Sequence, residues 1–423
     1  MKKLIILLPL LLVLALLQGC HSGSSSTAGS TQSSVRLVNG SSNTLDMVSS
    51  STVLVSGVAY GTASGNASVA GGTTPITLDL SGSGTASASS VFTFTGGNYT
   101  VLAYTSYIAG QPILQLTPPL IENQTAPAAG GGALLRAYEF STDAGALDVY
   151  LAPVGNSSSS PIATNVSGVT PFYPVAAGTY HIWVTGAGAP ADLRLDAPSV
   201  AIGDQQVLTL ALTGTMGGVL VDGLLIAQQG AVTALKNNYA RVRVAASFAA
   251  NGTISSTMVN GNTVISSTLT SPAVSSYVLV PAGPLTISVN NGNSVISNGL
   301  TTASPGADLT LLAVGTLASP TYNMLNDDNT RPSDGRAKLR LVNGVNSGSS
   351  LSLTYNSQQI ASNVDFGTAS STANVTTNPN SNLSVGALYA APSPGVSLQS
   401  QGVYSVFMLG DSSSPSGILL KDH

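Results

Sequence analysis

A short segment with one arginine between aliphatic residues occurs four times, at intervals of about one hundred residues. The four arginines are Arg36, Arg136, Arg243 and Arg340, so the steps along the chain are 100, 107 and 97 residues. A β-sandwich domain contains about 100 residues, whereas the repeats of solenoid proteins contain about 20–50. The period therefore predicts four similar modules in series, each of the size of one sandwich.

The pattern inside the repeats is typical of strands and hairpins. Apolar and polar residues alternate between turn residues, and no convincing amphipathic helix interrupts them. Residues 55–64 and 361–370 share six identities in ten, so the first and fourth repeats match beyond the arginine. Gly178 and Gly283 lie between alternating runs, where glycine supplies the positive φ that a hairpin needs. The sequence predicts an all-β chain.

Polar joints that contain proline separate the repeats. The joints at 122–127 and 327–332 match at a constant offset of 205 residues. Such joints place boundaries near residues 130, 239 and 335. The predicted modules are listed in chain order: module 1 (35–130), module 2 (131–239), module 3 (240–335) and module 4 (336–423). Each is long enough to bury a core of its own.

The N-terminus predicts export and lipid attachment. After a short basic start, residues 4–17 form an apolar run that would span about 21 Å as a helix, less than the ~30 Å of a bilayer core. A signal peptide over residues 1–19 fits this run better than a spanning helix. The segment Leu17-Gln18-Gly19-Cys20 resembles the bacterial lipobox, which implies cleavage before Cys20 and a covalent lipid on its thiol.

A tether should follow the lipidated cysteine. Residues 20–34 are rich in Ser, Gly and Thr and would reach roughly 20 Å as a flexible coil. By resemblance to Gram-negative sorting signals, His21 in place of aspartate implies the outer membrane of a Gram-negative bacterium. Which face of that membrane the modules occupy stays open.

Composition excludes several classes of protein. Cys20 is the only cysteine in the 423 residues, so neither an intrachain disulfide nor a metal–thiolate cluster can form. Charged residues are 7% of the chain, against roughly 25% in ordinary domains. The formal net charge is −4 and no basic run occurs, so the chain lacks the electrostatic signature of a nucleic-acid-binding protein.

Several segments together resemble a known tandem domain. They are the R-L-V-N-G opening, the L-D-V segment at 147–149, the N-V-D-F-G-T-A-S segment at 363–370, the P-A-G hairpin and the D-D-N joint. This set resembles the bacterial domain of unknown function 4397, and the resemblance covers residues 35–423. It implies immunoglobulin-like β-sandwiches in secreted proteins and lipoproteins. The family offers no catalytic residues to transfer.

No catalytic motif is evident. The histidines are His21, His181 and His423, and only His181 lies away from both the predicted anchor and the C-terminus. The chain has no G-x-S-x-G elbow, H-E-x-x-H, P-loop or G-x-G-x-x-G segment. We therefore expect a protein that is not an enzyme and needs no cofactor beyond the lipid.

One strand carries a candidate binding surface. Alternation places Tyr180, Ile182 and Val184 in the core, which turns His181 and Trp183 outward. An exposed Trp–His pair could stack on a sugar or contact a protein. The alternative is that Trp183 packs under a loop or against a neighbouring module, because single apolar residues on surfaces are common.

The acidic joint at 326–329 allows two interpretations. Asp327 and Asp328 could help to hold Ca²⁺, which prefers oxygen ligands and would stiffen the joint. The matching joint has only one carboxylate, Glu122, so a solvated linker is the favoured interpretation.

The arginines invite a similar choice. Arg36 and Arg136 could pair with Asp46 and Asp148 in the following strands, but the fourth repeat offers only Ser352 there. A structural role explains all four repeats, with guanidinium N–H groups donated to backbone carbonyls at a strand edge.

These features predict a non-catalytic lipoprotein of the bacterial envelope that displays tandem modules for adhesion or partner binding. The lipid would attach it to the membrane, and tandem copies would raise avidity for a protein or glycan partner. Two alternatives remain: a structural or accessory envelope protein without a diffusible ligand, and a surface protein that binds glycans through aromatic side chains.

Overall fold

The computed structural model describes residues 31–108, 111–250, 252–290, 295–390 and 395–423, with the backbone alone at 296–298. All regular structure within these ranges is β-strand, which confirms the all-β prediction. The predicted signal peptide, Cys20 and most of the predicted tether lie outside the described residues. Among the residues that are described, none belongs to a helix long and apolar enough to cross a membrane.

Modules 1 and 2 are built from the first nineteen strands described. In module 1 these are β1 (Gln32–Gly40), β2 (Leu45–Ser49), β3 (Thr52–Val58), β4 (Thr62–Ala63), β5 (Ala67–Ala70), β6 (Gly72–Leu80), β7 (Ala86–Phe94), β8 (Gly97–Ile108), β9 (Gln111–Leu116) and β10 (Leu120–Ile121). In module 2 they are β11 (Ala133–Glu139), β12 (Leu147–Pro153), β13 (Ala163–Val166), β14 (Tyr173–Val175), β15 (Gly178–Gly186), β16 (Ala189–Ile202), β17 (Val207–Gly214), β18 (Val221–Ala227) and β19 (Val232–Leu235).

Modules 3 and 4 follow the same plan. The strands of module 3 are β20 (Tyr239–Phe248), β21 (Thr253–Ile254), β22 (Ser256–Val259), β23 (Thr263–Ser266), β24 (Leu269–Thr270), β25 (Ala273–Val274), β26 (Val278–Pro281), β27 (Gly283–Asn290), β28 (Val295–Ala303), β29 (Asp308–Thr316) and β30 (Ser319–Asp327). Those of module 4 are β31 (Arg336–Asn343), β32 (Leu351–Tyr355), β33 (Gln358–Val364), β34 (Thr368–Ala369), β35 (Ala373–Thr376), β36 (Leu383–Val385), β37 (Tyr389–Ala390), β38 (Val403–Asp411) and β39 (Ser414–Lys421).

Each module has one sheet built around a parallel pair, which we call its arginine sheet. The pair joins the arginine strand to a late strand of the same module: β1 to β8, β11 to β17, β20 to β29 and β31 to β38. Parallel neighbours need a crossover connection. Here the intervening chain supplies it as a second, antiparallel sheet, with strand orders β3-β2-β6-β7, β13-β12-β15-β16, β23-β22-β27-β28 and β33-β32-β36-β37.

Every pair of sheets encloses its own apolar core. Four large clusters of buried residues draw on residues 35–116, 133–235, 240–324 and 337–419. The inward positions alternate along the strands, as in β27, where Leu285, Ile287 and Val289 are buried. The described residues thus form a series of β-sandwiches.

The arginine strands are buried on both faces. In β1, Val35 and Leu37 belong to the core of module 1, whereas Val38 belongs to a cluster shared with module 2. Parallel strands are normally covered on both faces, and their sequences are therefore nearly continuous runs of apolar residues. The arginine of each repeat lies on the outer face, and in modules 1, 3 and 4 the neighbouring module covers it.

Candidate functional site

The arginine sheets dock the modules in two pairs. Two small apolar clusters lie between arginine sheets of neighbouring modules, and we call them seam 1–2 and seam 3–4. Seam 1–2 contains Val38, Leu102, Ala211, Leu224 and Ile226. Seam 3–4 contains Ala245, Leu312, Val314, Val342, Phe407 and Leu409. These apolar parts of the outer faces are therefore internal surfaces of a docked pair.

One hydrogen bond recurs at all four arginines. In each module the arginine Nε donates to a hydroxyl on the residue paired with it in the parallel strand. The bonds are Arg36 to Thr100 (2.8 Å), Arg136 to Thr209 (2.9 Å), Arg243 to Thr310 (2.9 Å) and Arg340 to Ser405 (2.7 Å). The parallel register thus fixes each guanidinium against its own sheet.

The structural interpretation of the arginines is right about the backbone carbonyls but wrong about the strand edge. Arg36 donates to the carbonyls of Ala227 and Gly230, and Arg340 donates to that of Asn326. The arginine strands lie inside their sheets, so the guanidinium groups do not serve a strand edge. Pairing with Asp46 and Asp148, the alternative that was not favoured, does not occur, because Asp46 accepts the Gly57 N–H at 2.8 Å and Asp148 accepts the N–H groups of Asn165 and Gly188. These carboxylates stabilise turns of the second sheet.

Seam 3–4 is held by reciprocal ion pairs. Arg243 of module 3 donates to Asp422 of module 4 at 2.5 Å, and Arg340 of module 4 donates to Asp327 at the end of module 3 at 2.6 Å. Asp327 also accepts the hydroxyl of Tyr277 at 2.5 Å. Burial alone would raise the pKa of Asp327, but Arg340 and Arg243 outweigh burial and hold that pKa below its ordinary value.

The acidic joint is not a solvated linker, so the favoured interpretation of residues 326–329 is wrong. Asp327, Asn329 and Thr330 are only 4%, 1% and 1% exposed, because modules 3 and 4 close over them. Asp328 receives the Lys338 ammonium at 2.9 Å. Both aspartates therefore have cationic side chains where the calcium hypothesis placed a metal. No group of three or more His, Cys, Asp or Glu residues could hold a metal within the described ranges.

The two docked pairs also meet each other. The backbone N–H of Gly217 in module 2 donates to the Gly306 carbonyl of module 3 at 2.9 Å, and Asp143 accepts the Arg331 N–H at 2.8 Å. His423 is partly buried at this joint, with Nδ1 2.9 Å from the Asn329 carbonyl. Burial, together with the nearby Arg331, lowers the pKa of its imidazole to about 3, so this ring is neutral at physiological pH.

The outer face of the second sheet in module 2 carries the predicted aromatic side chains. His181 and Trp183 project outward from β15, while Tyr180, Ile182 and Val184 join the core, which confirms the alternation. Trp183 stacks on Tyr150 of β12, with ring centroids 5.1 Å apart and an interplanar angle of 11°. We call Tyr150, His181, Trp183 and Asp196 the aromatic surface.

A polar pair borders the stacked rings. His181 lies 4.7 Å from Trp183 between ring centroids, and its Nε2 is 2.6 Å from the Asp196 carboxylate. The side chains of His181 and Asp196 are 33% and 23% exposed, whereas Tyr150 beneath the indole is 5% exposed. The surface therefore offers an ordered indole beside hydrogen-bonding groups that solvent can reach, an arrangement suited to a ring that carries hydroxyls.

Sequence reasoning missed two members of this surface. Tyr150 and Asp196 are brought beside Trp183 by the antiparallel register of β12, β15 and β16, in which both residues pair with Trp183. The outward position of Tyr150 follows from alternation after Leu147, but the register that places it next to Trp183 has no local signal. Trp183 packs on its own sheet, against the rings of Tyr150 and His181.

Comparison with known proteins identifies a family. The family model described as Domain of unknown function (DUF4397) matches residues 33–150 and 240–354, which together make up more than half of the chain. Each matched stretch contains two of the repeated arginines. A search of curated proteins finds no significant match.

Two solved structures share a distant likeness. The Bacillus anthracis TIE protein is 7% identical, and the alignment covers 91% of this chain and 68% of that one, with a TM-score of 0.16. The product complex of a multi-modular glycogen-degrading pneumococcal virulence factor, SpuA, is 9% identical over 85% of this chain and 37% of that one, with a TM-score of 0.16. Neither likeness carries an argument at these scores.

Proposed function

The chain belongs to the DUF4397 family, and from this premise we propose that it is a non-catalytic bacterial envelope lipoprotein that displays its modules for adhesion or partner binding. The observation that carries the proposal is the lipobox-like segment ending in Cys20, directly after an apolar run too short to span a bilayer. The thiol would carry the lipid. An outer-membrane location is part of the same proposal.

The docked pairs support a display role. Residues 20–34 would hold the first module roughly 20 Å from the lipid headgroups. The seams cover much of the arginine sheets, so the second sheets of the sandwiches form the larger accessible faces. Several such faces on one tethered chain would raise the effective concentration at a multivalent partner.

Replacement of the lipidated residue tests the anchor. Cys20→Ser should abolish incorporation of labelled palmitate and move the protein from the membrane fraction to the soluble fraction, because no other thiol is available. Ser26→Ala, in the same tether, is the matched control and should leave both properties unchanged. A Cys20→Ser protein that still sediments with membranes would refute the lipid anchor.

Protease treatment of intact cells separates display from an accessory role within the envelope. Surface-displayed modules should be cleaved without opening the outer membrane. If the modules survive until that membrane is permeabilised, adhesion is excluded and a structural envelope role replaces it.

The aromatic surface favours a second candidate function, glycan binding. Trp183→Ala should weaken retention on a glycan that binds module 2 by about 1 kcal/mol, or roughly fivefold, because the stacked indole is lost. Val53→Ala removes an exposed apolar side chain of module 1 and serves as the control. Equal retention of the Trp183→Ala and control proteins on a glycan array would exclude this function.

A further inference from the structure

Three of the four modules have a carboxylate at one shared position, and module 2 departs from this pattern. In each arginine sheet, the hydroxyl residue bonded by the arginine is paired with an aliphatic residue of the strand that follows it in the chain. These aliphatic residues are Leu120, Ile226, Leu325 and Leu420. Two residues later the chain has Glu122, Gln228, Asp327 and Asp422. Module 2 therefore has a neutral amide where the other three modules have a carboxylate.

This substitution leaves seam 1–2 with one uncompensated positive charge. In seam 3–4 two arginines face two aspartates, and each arginine bonds the carboxylate of the other module. In seam 1–2, Arg36 bonds Glu122 of its own module at 2.6 Å. Its hydrogen bonds to described residues of module 2 go to the carbonyls of Ala227 and Gly230, at 2.7 and 2.5 Å. Glu122 is thereby occupied by Arg36.

Arg136 is the arginine that remains without a carboxylate. Its Nε donates to Thr209, and its guanidinium lies 4.6 Å from the centroid of the Phe172 ring. Among the residues that the structure describes, its two Nη groups bond no acceptor and it forms no salt bridge. The side chain is partly buried, and this desolvation lowers its pKa. A guanidinium fixed at Nε, with both Nη groups free, matches the two oxygens of a carboxylate.

We propose that Arg136, flanked by Phe172 and Tyr138, binds a ligand carboxylate that supplies the charge missing at Gln228. Tyr138 lies two residues along β11 on the same face and packs against Phe140 with ring centroids 4.1 Å apart. Aromatic surface beside a guanidinium suits a ring-shaped ligand that carries a carboxylate. The chemical class is a hexuronate unit, as found in acidic polysaccharides.

This site is separate from the proposed anchor and from the aromatic surface. Arg136 lies on the arginine sheet of module 2, whereas His181 and Trp183 lie on the outer face of the second sheet. Failure of the lipid anchor, or of glycan binding at Trp183, would leave this inference untouched.

Calorimetric titration of the mature full-length protein at constant ionic strength tests the site. D-galacturonate should bind saturably with one site per chain, and neutral D-galactose should bind at least about tenfold more weakly, because it cannot form the ionic pair. Arg136→Gln should lower the affinity for galacturonate at least about tenfold. Gln228→Glu should do the same, because it restores the internal carboxylate, although it also removes the amide N–H that bonds the Gln124 carbonyl at 2.8 Å.

A charge-matched variant completes the design. Gln358→Glu adds the same charge at an exposed position of module 4 and should leave galacturonate binding unchanged. Absence of saturable binding, or binding that persists in both Arg136→Gln and Gln228→Glu, would overturn the site. Acetate that binds as tightly as galacturonate, with the same dependence on Arg136, would overturn the assignment to a uronate.

Discussion

Replacing Arg340 with alanine is expected to destabilise the docking of modules 3 and 4 by about 3–5 kcal/mol, because the change leaves a buried carboxylate without its main partner. The side chains of Arg340 and Asp327 are 4% and 0% exposed, and their ion pair is 2.6 Å long. The nearest other arginine, Arg243, is 3.6 Å from Asp327 and is already bonded to Asp422. Chemical denaturation of the full-length protein would measure the loss.

The repeat itself supplies the control for this experiment. Arg136→Ala removes an arginine at the same position of module 2, but one that donates to the uncharged hydroxyl of Thr209 and forms no ion pair with any residue the structure describes. We expect a loss of only about 1 kcal/mol there. If the Arg136 and Arg340 variants lose equal stability, the ion pairs do not hold seam 3–4 in the way described.

Replacing Phe407 with alanine is the second large effect, with an expected loss of about 3–5 kcal/mol. The Phe407 ring is fully buried in seam 3–4, and the Arg243 guanidinium lies 4.9 Å from its centroid. Truncation therefore leaves a cavity between two modules and removes a contact of the buried arginine. Hydrogen exchange should show faster exchange at the seam, while β32 inside module 4 keeps its protection.

A core variant of the same module distinguishes docking from folding. Leu353 is fully buried in the cluster of module 4 itself, away from the seam. Leu353→Ala should raise exchange across the sandwich of module 4, β32 included, because it weakens the fold of the module. Identical exchange patterns for Phe407→Ala and Leu353→Ala would contradict a seam that is distinct from the module cores.

The fold was largely predictable because its signals are local. The spacing of the repeated arginines predicts repeats of sandwich size. The alternation along residues 180–184 correctly predicts that His181 and Trp183 point outward. Period-two patterns depend only on neighbouring residues, so they can be recognised without knowledge of the tertiary structure.

What could not be predicted depends on register and on docking. Arg340 and Ser405 are 65 residues apart, and only the parallel pairing of β31 with β38 brings them together. The burial of Asp327 requires a second module over the joint, which a polar, proline-containing sequence does not reveal. The solvated-linker interpretation was wrong for this reason, since it judged a joint by its composition alone.

The central claim is that modules 1 and 2, and modules 3 and 4, are fixed to each other through their arginine sheets. Because Cys20 is the chain's only cysteine, a Cys20→Ser protein can be spin-labelled selectively at Thr286→Cys and Gln359→Cys, which are exposed on the second sheets of modules 3 and 4. Pulsed electron–electron double resonance should give one narrow distribution of distances between the two labels, and this distribution should broaden when Arg340→Ala is added. A broad distribution before that change would show modules that move independently, and would contradict the docked pair.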